Sequence, residues 1–179
     1  MSEDLAVREI KDIEEQIKEL KENIKRERNE LHEWKISKCE PNLNKLPEKK
    51  EKLKKKTFFQ GNLNENKKID GFGRFHYANG DVLTGEFKNE TIHGYGILSY
   101  HKKSKEEEYE GSWNNAKKEG LGFLKFRNGN RYEGNFKNDL PHGFGIFYKK
   151  EEGIREEGYF KEVKFMDGET FFEKPEVLE

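Results

Sequence analysis

Histidines, a single cysteine and closely spaced glycine pairs are the residues of this chain whose types and spacing could support chemistry. His76, His93 and His142 are candidate metal ligands, but they lie far apart and no Cys or carboxylate cluster keeps step with them. Cys39 has no partner for a Cys/His pair, and no Ser/His/Asp arrangement is present. The sequence therefore predicts a protein that is not an enzyme, with no metal site and no cofactor.

The glycine pairs, such as GFGIF at Gly143, look superficially like phosphate-binding loops. A phosphate loop needs a strand-to-helix junction and a Lys-Ser/Thr ending, because helix amides and the lysine hold the phosphates. Neither is present here, so we expect the glycine pairs to have a structural role.

Composition narrows the class of protein further. Among 179 residues, 31% are hydrophobic and 40% are charged, too few apolar side chains for one thick core, yet Phe, Tyr and Trp are abundant. The 35 basic and 36 acidic residues nearly cancel, so nucleic acid is not an expected partner. The sequence has no secretion signal and no apolar run of the ~20 residues that cross a bilayer, so we expect a cytoplasmic protein.

Residues 1–37 predict a long amphipathic helix. The first 56 residues contain no glycine, and apolar side chains recur there at the a and d positions of a heptad. One stripe of this kind needs a cover, which leaves three alternatives: a second copy of the helix, another coiled coil, or the chain's own repeats. The helix seam comprises Ile10, Ile13, Ile17, Leu20, Ile24, Leu31 and Trp34.

Residues 38–56 predict a linker rich in proline and lysine. Pro41 and Pro47 are expected to end the helix, and six lysines follow within residues 49–56. A solvated, extended linker is one interpretation; weak contact with anionic membrane, at ~1 kcal/mol per lysine, is the other.

The region from residue 57 to 165 is repetitive. Pairs of glycines separated by one residue begin at 71, 94, 120 and 143, at intervals of 23, 26 and 23 residues. A second motif recurs at nearly the same intervals. It reads FQGNL, LTGEF, YEGSW and YEGNF, with a degenerate copy, EEGYF, at the end. Two motifs in phase over four copies indicate an internal repeat of about 23 residues.

Each repeat predicts two short antiparallel strands. In YEGSW, the alternation of Tyr109, Gly111 and Trp113 places all three on one face of a strand, where the glycine leaves room for a neighbouring ring. Asn79-Gly80 and Asn128-Gly129 indicate tight turns. The predicted fold is mainly β: an elongated, single-layer antiparallel meander of stacked hairpins behind an N-terminal helix, with residues 166–179 as a cap or tail.

The repeat resembles the MORN family, whose units read close to YEGxWxNGxxHGxGxxxxxNGDxY. The segments YEGSWNN, YEGNFKNDLPHGFG and GFGRFHYANGDVLTGEF carry the resemblance, which gives four good copies and a partial fifth. It implies a curved sheet of hairpins with an aromatic-rich groove that binds a partner peptide or helix. Lys117 to Glu119 depart from the family pattern, since they replace its His step.

The candidate partner-binding surface is a stripe of rings; for any one ring, ordinary core packing is the alternative. Phe72, Tyr95, Leu121, Phe144 and Tyr148 alternate onto the opposite face, so a partner is expected to cover one face. The expected function is a scaffold or adaptor in a larger assembly, and the resemblance favours the cytoskeleton or a ciliary axoneme; a peripheral membrane anchor is the alternative. The stripe comprises Phe59, Phe87, Tyr109, Trp113, Tyr132 and Phe136.

Overall fold

The computed structural model describes residues 2–43, 51–54, 57–161 and 164–172, with side chains described for residue 11, 14–43 and 57–161. Helix α1 spans Ser2–Trp34, a π-helical turn spans Lys35–Cys39, and a short helix α2 spans Glu40–Leu43. No helix among these residues is long and apolar enough to cross a membrane.

The helical segment continues past its predicted end at residue 37. In the π turn the Glu40 N–H bonds to the carbonyl of Lys35, which shifts the backbone pattern just before Pro41. Pro41 then lies in the first turn of α2, where a missing N–H is tolerated. Part of the predicted linker is therefore helical.

Eleven strands follow within the described residues, and each pairs antiparallel with the next along the chain. They form one meandering sheet, which confirms the predicted fold class. One strand precedes the predicted 57–165 region in the sequence, and the last strand extends beyond it. The strands are β1 Glu51–Lys54, β2 Thr57–Leu63, β3 Ile69–His76, β4 Val82–Lys88, β5 Thr91–Ser99, β6 Glu106–Asn114, β7 Lys117–Phe126, β8 Arg131–Lys137, β9 Leu140–Lys149, β10 Ile154–Lys161 and β11 Lys164–Phe172.

A column of glycines crosses ten strands of the sheet, from β2 to β11. Each glycine is the direct cross-strand partner of the next, so the column fixes one common register for every hairpin. The extra residues of the 26-residue interval lie in the loop between β5 and β6 and do not disturb it. The glycine column comprises Gly61, Gly73, Gly85, Gly96, Gly111, Gly122, Gly134, Gly145, Gly158 and Gly168.

The two glycines of each pair have different roles. The second member belongs to the glycine column, where space is short. The first member has a left-handed backbone, with φ of +69° at Gly94 and +78° at Gly143, and no atom lies within 4 Å of a Cβ built on Gly94. The second member therefore makes room for a ring, as expected for Gly111, whereas the first supplies a conformation that other residues adopt at a cost.

The tight turns inside the repeats use asparagine. Asn89, Asn115 and Asn138 begin two-residue turns in which both residues have positive φ, as a type I′ hairpin requires. The predicted Asn-Gly turns lie between repeats, where Gly80 and Gly129 have positive φ.

Candidate functional site

One face of the sheet, called here the ring face, carries all six predicted stripe residues. The six rings are at most 7% exposed, and they belong to one continuous cluster with Ile69, Leu83, Ile92, Leu124 and Phe160. They therefore occupy the core position that was the alternative for each ring. Their predicted contact with a partner stays a prediction.

The rings are buried in a single-layer sheet because they lie along it. A Cβ on Gly111 would be 2.5 Å from the Tyr109 hydroxyl, and one on Gly122 would be 2.5 Å from the Tyr109 ring. Tyr109 on β6 thereby crosses the backbone of β7 and meets Phe136 of β8 edge-on, with ring centroids 5.0 Å apart. The ring face consists of rings laid on the glycine column.

Two tyrosine hydroxyls fix this arrangement. Tyr109 Oη donates to the carbonyl of Ser112 at 2.9 Å, and Tyr132 Oη donates to the carbonyl of Asn135 at 3.0 Å. Burial raises the pKa of both phenols, so they stay neutral donors. Sequence reasoning missed these bonds, although the repeated Tyr-x-x-Ser/Asn spacing carries the signal.

The opposite face, called here the helix face, is covered by the chain's own helix. Ile24, Leu31 and Trp34 are buried against it, while Ile17 and Leu20 are partly buried. Of the three alternatives for the helix seam, the described residues thus show packing on the chain's own repeats; the side chains of Ile10 and Ile13 lie outside them. The sheet contributes Phe72, Tyr95, Ile97, Leu121, Phe123, Phe144, Ile146 and Tyr148 to these contacts.

A ladder of three ion pairs, called here the ion-pair ladder, sets the register of helix on sheet. Lys21 pairs with Glu157 and Arg28 with Glu133, and Lys35 Nζ lies 2.9 Å from Glu110 Oε1. The cations are seven residues apart, and the glutamates precede column glycines of successive repeats. Seven helical residues rise ~10.5 Å and two strands advance ~9.5 Å, so one heptad matches one repeat.

Further contacts at this interface are polar or sulfur-containing. Tyr95 Oη donates to Glu27 Oε2 at 2.9 Å. Cys39, expected in a linker, is 1% exposed among Leu31, Trp34, Phe72 and Ile97. Burial raises the pKa of its thiol, so Cys39 behaves as a small core side chain.

An open pocket of about 610 Å³ lies on the ring face. Its apolar walls come from Tyr77, Leu98 and Trp113, and Lys118 is the one cation among the lining residues that the structure describes. Asp81 and Asp139 stand on turns at its rim. This pocket, called here the Lys118 pocket, is a concave feature of the ring face. A second cavity, of about 400 Å³, lies along the ion-pair ladder, where Arg28 and Lys35 are already paired.

The histidines are separate in the structure as in the sequence. His93 and His142 are exposed on different hairpins, and the His76 ring stacks on Phe58 with centroids 4.1 Å apart. Within the described residues, no three His, Cys, Asp or Glu side chains come together as a metal site.

Comparison with known families identifies the repeat. The MORN repeat model matches residues 65–82, 84–105, 109–131 and 132–150, one segment within each of the four good copies. The chain is a MORN-repeat protein. The degenerate copy in β10 and β11 lies beyond these matches but shares the glycine column. A comparison with curated proteins found no match.

MORN repeats are commonly modules that bind proteins or membrane phospholipids, and the family is generally not enzymatic. Membership in this family thus favours a binding function and does not name a partner.

Proposed function

We propose that this protein is a scaffold that holds a segment of a partner protein in the Lys118 pocket of its ring face. The observation that carries the proposal is the unequal cover of the two faces: α1 lies on the helix face, whereas the Lys118 pocket is open. Apolar walls with a few polar groups are typical of pockets that bind ligands.

The assembly we propose for it is cytoskeletal or ciliary, in line with the resemblance noted in the sequence. Strands β5, β6 and β7 carry Leu98, Trp113 and Lys118 of the pocket, and the ion-pair ladder holds α1 on the opposite face. A preorganised surface loses less entropy on binding, which suits a structural subunit.

Photo-crosslinking in the native cell tests this proposal. A benzoylphenylalanine at Ala116, an exposed turn residue that lines the pocket, should capture a defined structural protein. Tyr77→Ser removes part of the apolar wall and should abolish capture, whereas Leu140→Ser, at an exposed residue outside the pocket lining, should leave it unchanged. Equal capture by both variants, or capture only of proteins unrelated to filaments, would contradict the proposal.

Anionic phospholipid is the second candidate ligand, because the family commonly binds it and residues 49–56 carry six lysines. Flotation with phosphatidylserine vesicles at low and raised salt separates the two candidates. Binding that is lost as the Debye length falls below ~10 Å, and that fails after Lys52→Glu and Lys54→Glu, would support the lipid. Salt-resistant protein capture supports the scaffold.

A further inference from the structure

Lys118 occupies a position that the other repeats fill with an apolar side chain. Two residues before the first glycine of each pair, the chain has Ile69, Ile92, Lys118 and Pro141. The isoleucines are 5% and 2% exposed, and Pro141 is buried as well. A buried apolar residue is thus the structural requirement here, and Lys118 does not meet it.

The ammonium group of Lys118 is half-buried and poorly compensated. Its Nζ donates to Tyr100 Oη at 2.5 Å and lies over the rings of Tyr100 and Tyr109, 5.3 and 5.2 Å from their centroids. Among the described residues, no carboxylate pairs with this Nζ within 4.0 Å. Its contacts within that part of the chain are one neutral oxygen and two ring faces, so two of its three N–H donors meet no acceptor there.

The carboxylates nearest to Lys118 accept hydrogen bonds from other groups. Asp139 Oδ1 accepts the backbone N–H of Lys118 at 2.9 Å, and Asp81 Oδ1 accepts that of His101 at 2.7 Å. Glu106 Oε2 accepts the Ser104 hydroxyl at 2.5 Å. Burial lowers the pKa of Lys118, although Asp139 and Glu106 act to raise it, as expected for an ammonium without a close counter-ion.

We propose that the Lys118 pocket binds the side-chain carboxylate of a single Glu or Asp in the partner segment, flanked by an apolar residue. This inference rests on the proposed function and specifies its chemistry. The carboxylate takes the free donors of Lys118, and the flanking side chain packs against Leu98 and Trp113. Asp81 and Asp139 at the rim repel a run of acids, so the segment carries one carboxylate among neutral residues.

Matched peptides test the assignment on the full chain. The probes are N-acetyl-Phe-Glu-amide, N-acetyl-Phe-Gln-amide and N-acetyl-Phe-Gln with a free carboxyl terminus, titrated while the lysine side-chain signals are followed by NMR. We expect the Glu peptide to shift the Lys118 signal and to bind at least about ten-fold more tightly than either Gln peptide. Equal binding of Glu and Gln peptides would overturn the assignment, and tighter binding of the free-terminus peptide would replace it with a terminal carboxylate.

Variants of Lys118 test whether its charge, and not the shape of the pocket, produces the preference for Glu. Lys118→Met keeps the length of the side chain and Lys118→Ile reproduces the residue of two other repeats, so both should fold; both should lose the preference for Glu. Lys117→Met removes the exposed neighbouring charge and should keep that preference. If Lys118→Met keeps it, the carboxylate assignment is wrong. If a partner crosslinks through Ala116 but the peptides show no preference for Glu, the scaffold function is supported and the carboxylate assignment is wrong. If the peptides show the preference for Glu but no partner crosslinks, the carboxylate assignment is supported and the scaffold function is contradicted.

Discussion

The ring face and the helix face of the sheet are covered in different ways. On the ring face, side chains of the strands themselves lie over the glycine column, and eleven buried residues of the described part form one cluster. On the helix face, the cover is α1 with its following turn, and the buried residues described there divide into clusters of five and three. A single-layer sheet thus buries one face with its own rings and the other with a second layer.

Because the two faces are covered differently, they should open at different free energies. The ring face cannot open without unpairing strands, since rings from β6, β8 and β10 contact one another across intervening strands. The helix face can open by release of α1 alone. We therefore expect undocking of the helix at lower free energy than unfolding of the sheet.

The largest expected effect comes from removing a ring. Tyr132→Ala deletes a side chain that is 1% exposed, together with its bond to Asn135, and should lower the free energy of unfolding by about 3–5 kcal/mol. Urea denaturation followed by circular dichroism measures it. Leu140→Ala, at a 42% exposed side chain, is the control and should change stability by at most ~0.5 kcal/mol. Similar losses in the two variants would mean that the ring face is not the core.

A smaller effect, confined to one face, is expected from the helix seam. Leu31→Ala removes a 3% exposed side chain and should weaken helix docking by about 3 kcal/mol. Cys39 reports this directly: its buried thiol, with raised pKa, should react slowly with a thiol reagent at pH 8 and much faster in the variant.

Each face also has its own tryptophan, so the opening of each face can be followed separately. Trp34 lies on the helix face and Trp113 on the ring face. In the double variant Leu31→Ala with Trp113→Phe, the unfolding transition reported by Trp34 should come at low urea concentration. In Leu31→Ala with Trp34→Phe, the transition reported by Trp113 should come at a higher urea concentration. Ile36→Ala, at a 47% exposed helical residue, should leave Cys39 protected. Coincident transitions of both tryptophans would show that the faces do not separate.

The smallest effect is expected from the ion-pair ladder. Arg28→Met leaves Glu133 paired with Arg131 alone, and should weaken helix docking by about 1 kcal/mol. The loss should shrink at high salt, because screening already weakens the pair in the native chain. Arg26→Met, whose 66% exposed side chain lies 3.9 Å from Glu30, should cost at most ~0.5 kcal/mol and serves as the control. An equal loss in both would contradict a specific ladder.

Most of the sheet could be predicted from the sequence, because its signals are local and repeated. Glycine spacing gave the number of hairpins, and the alternation around Gly111 gave the faces of Tyr109 and Trp113. The turns at Asn89 and Asn138 were harder to predict, since a non-glycine residue follows each asparagine at positive φ.

The position of the helix depends on contacts distant in sequence. An apolar stripe is equally compatible with a second helix and with a sheet, so Ile24 and Leu31 could not decide between them. The deciding signal was the match of Lys21, Arg28 and Lys35 to the glutamates before three column glycines, which requires both halves to be considered together. The lone lysine at position 118 was noticed only as a departure from the family pattern, because its apolar surroundings come from other repeats.

The glycine column has an evolutionary consequence. Since Gly73, Gly96, Gly122 and Gly145 are equivalent partners, an in-frame duplication of one unit would add two strands without re-pairing the others. The helix would then need one more heptad, with a basic residue seven positions from the last cation of the ion-pair ladder. A descendant that gained a repeat without lengthening the helix would carry a hairpin that the helix does not cover. We therefore expect the helix and the repeat sheet to have lengthened together.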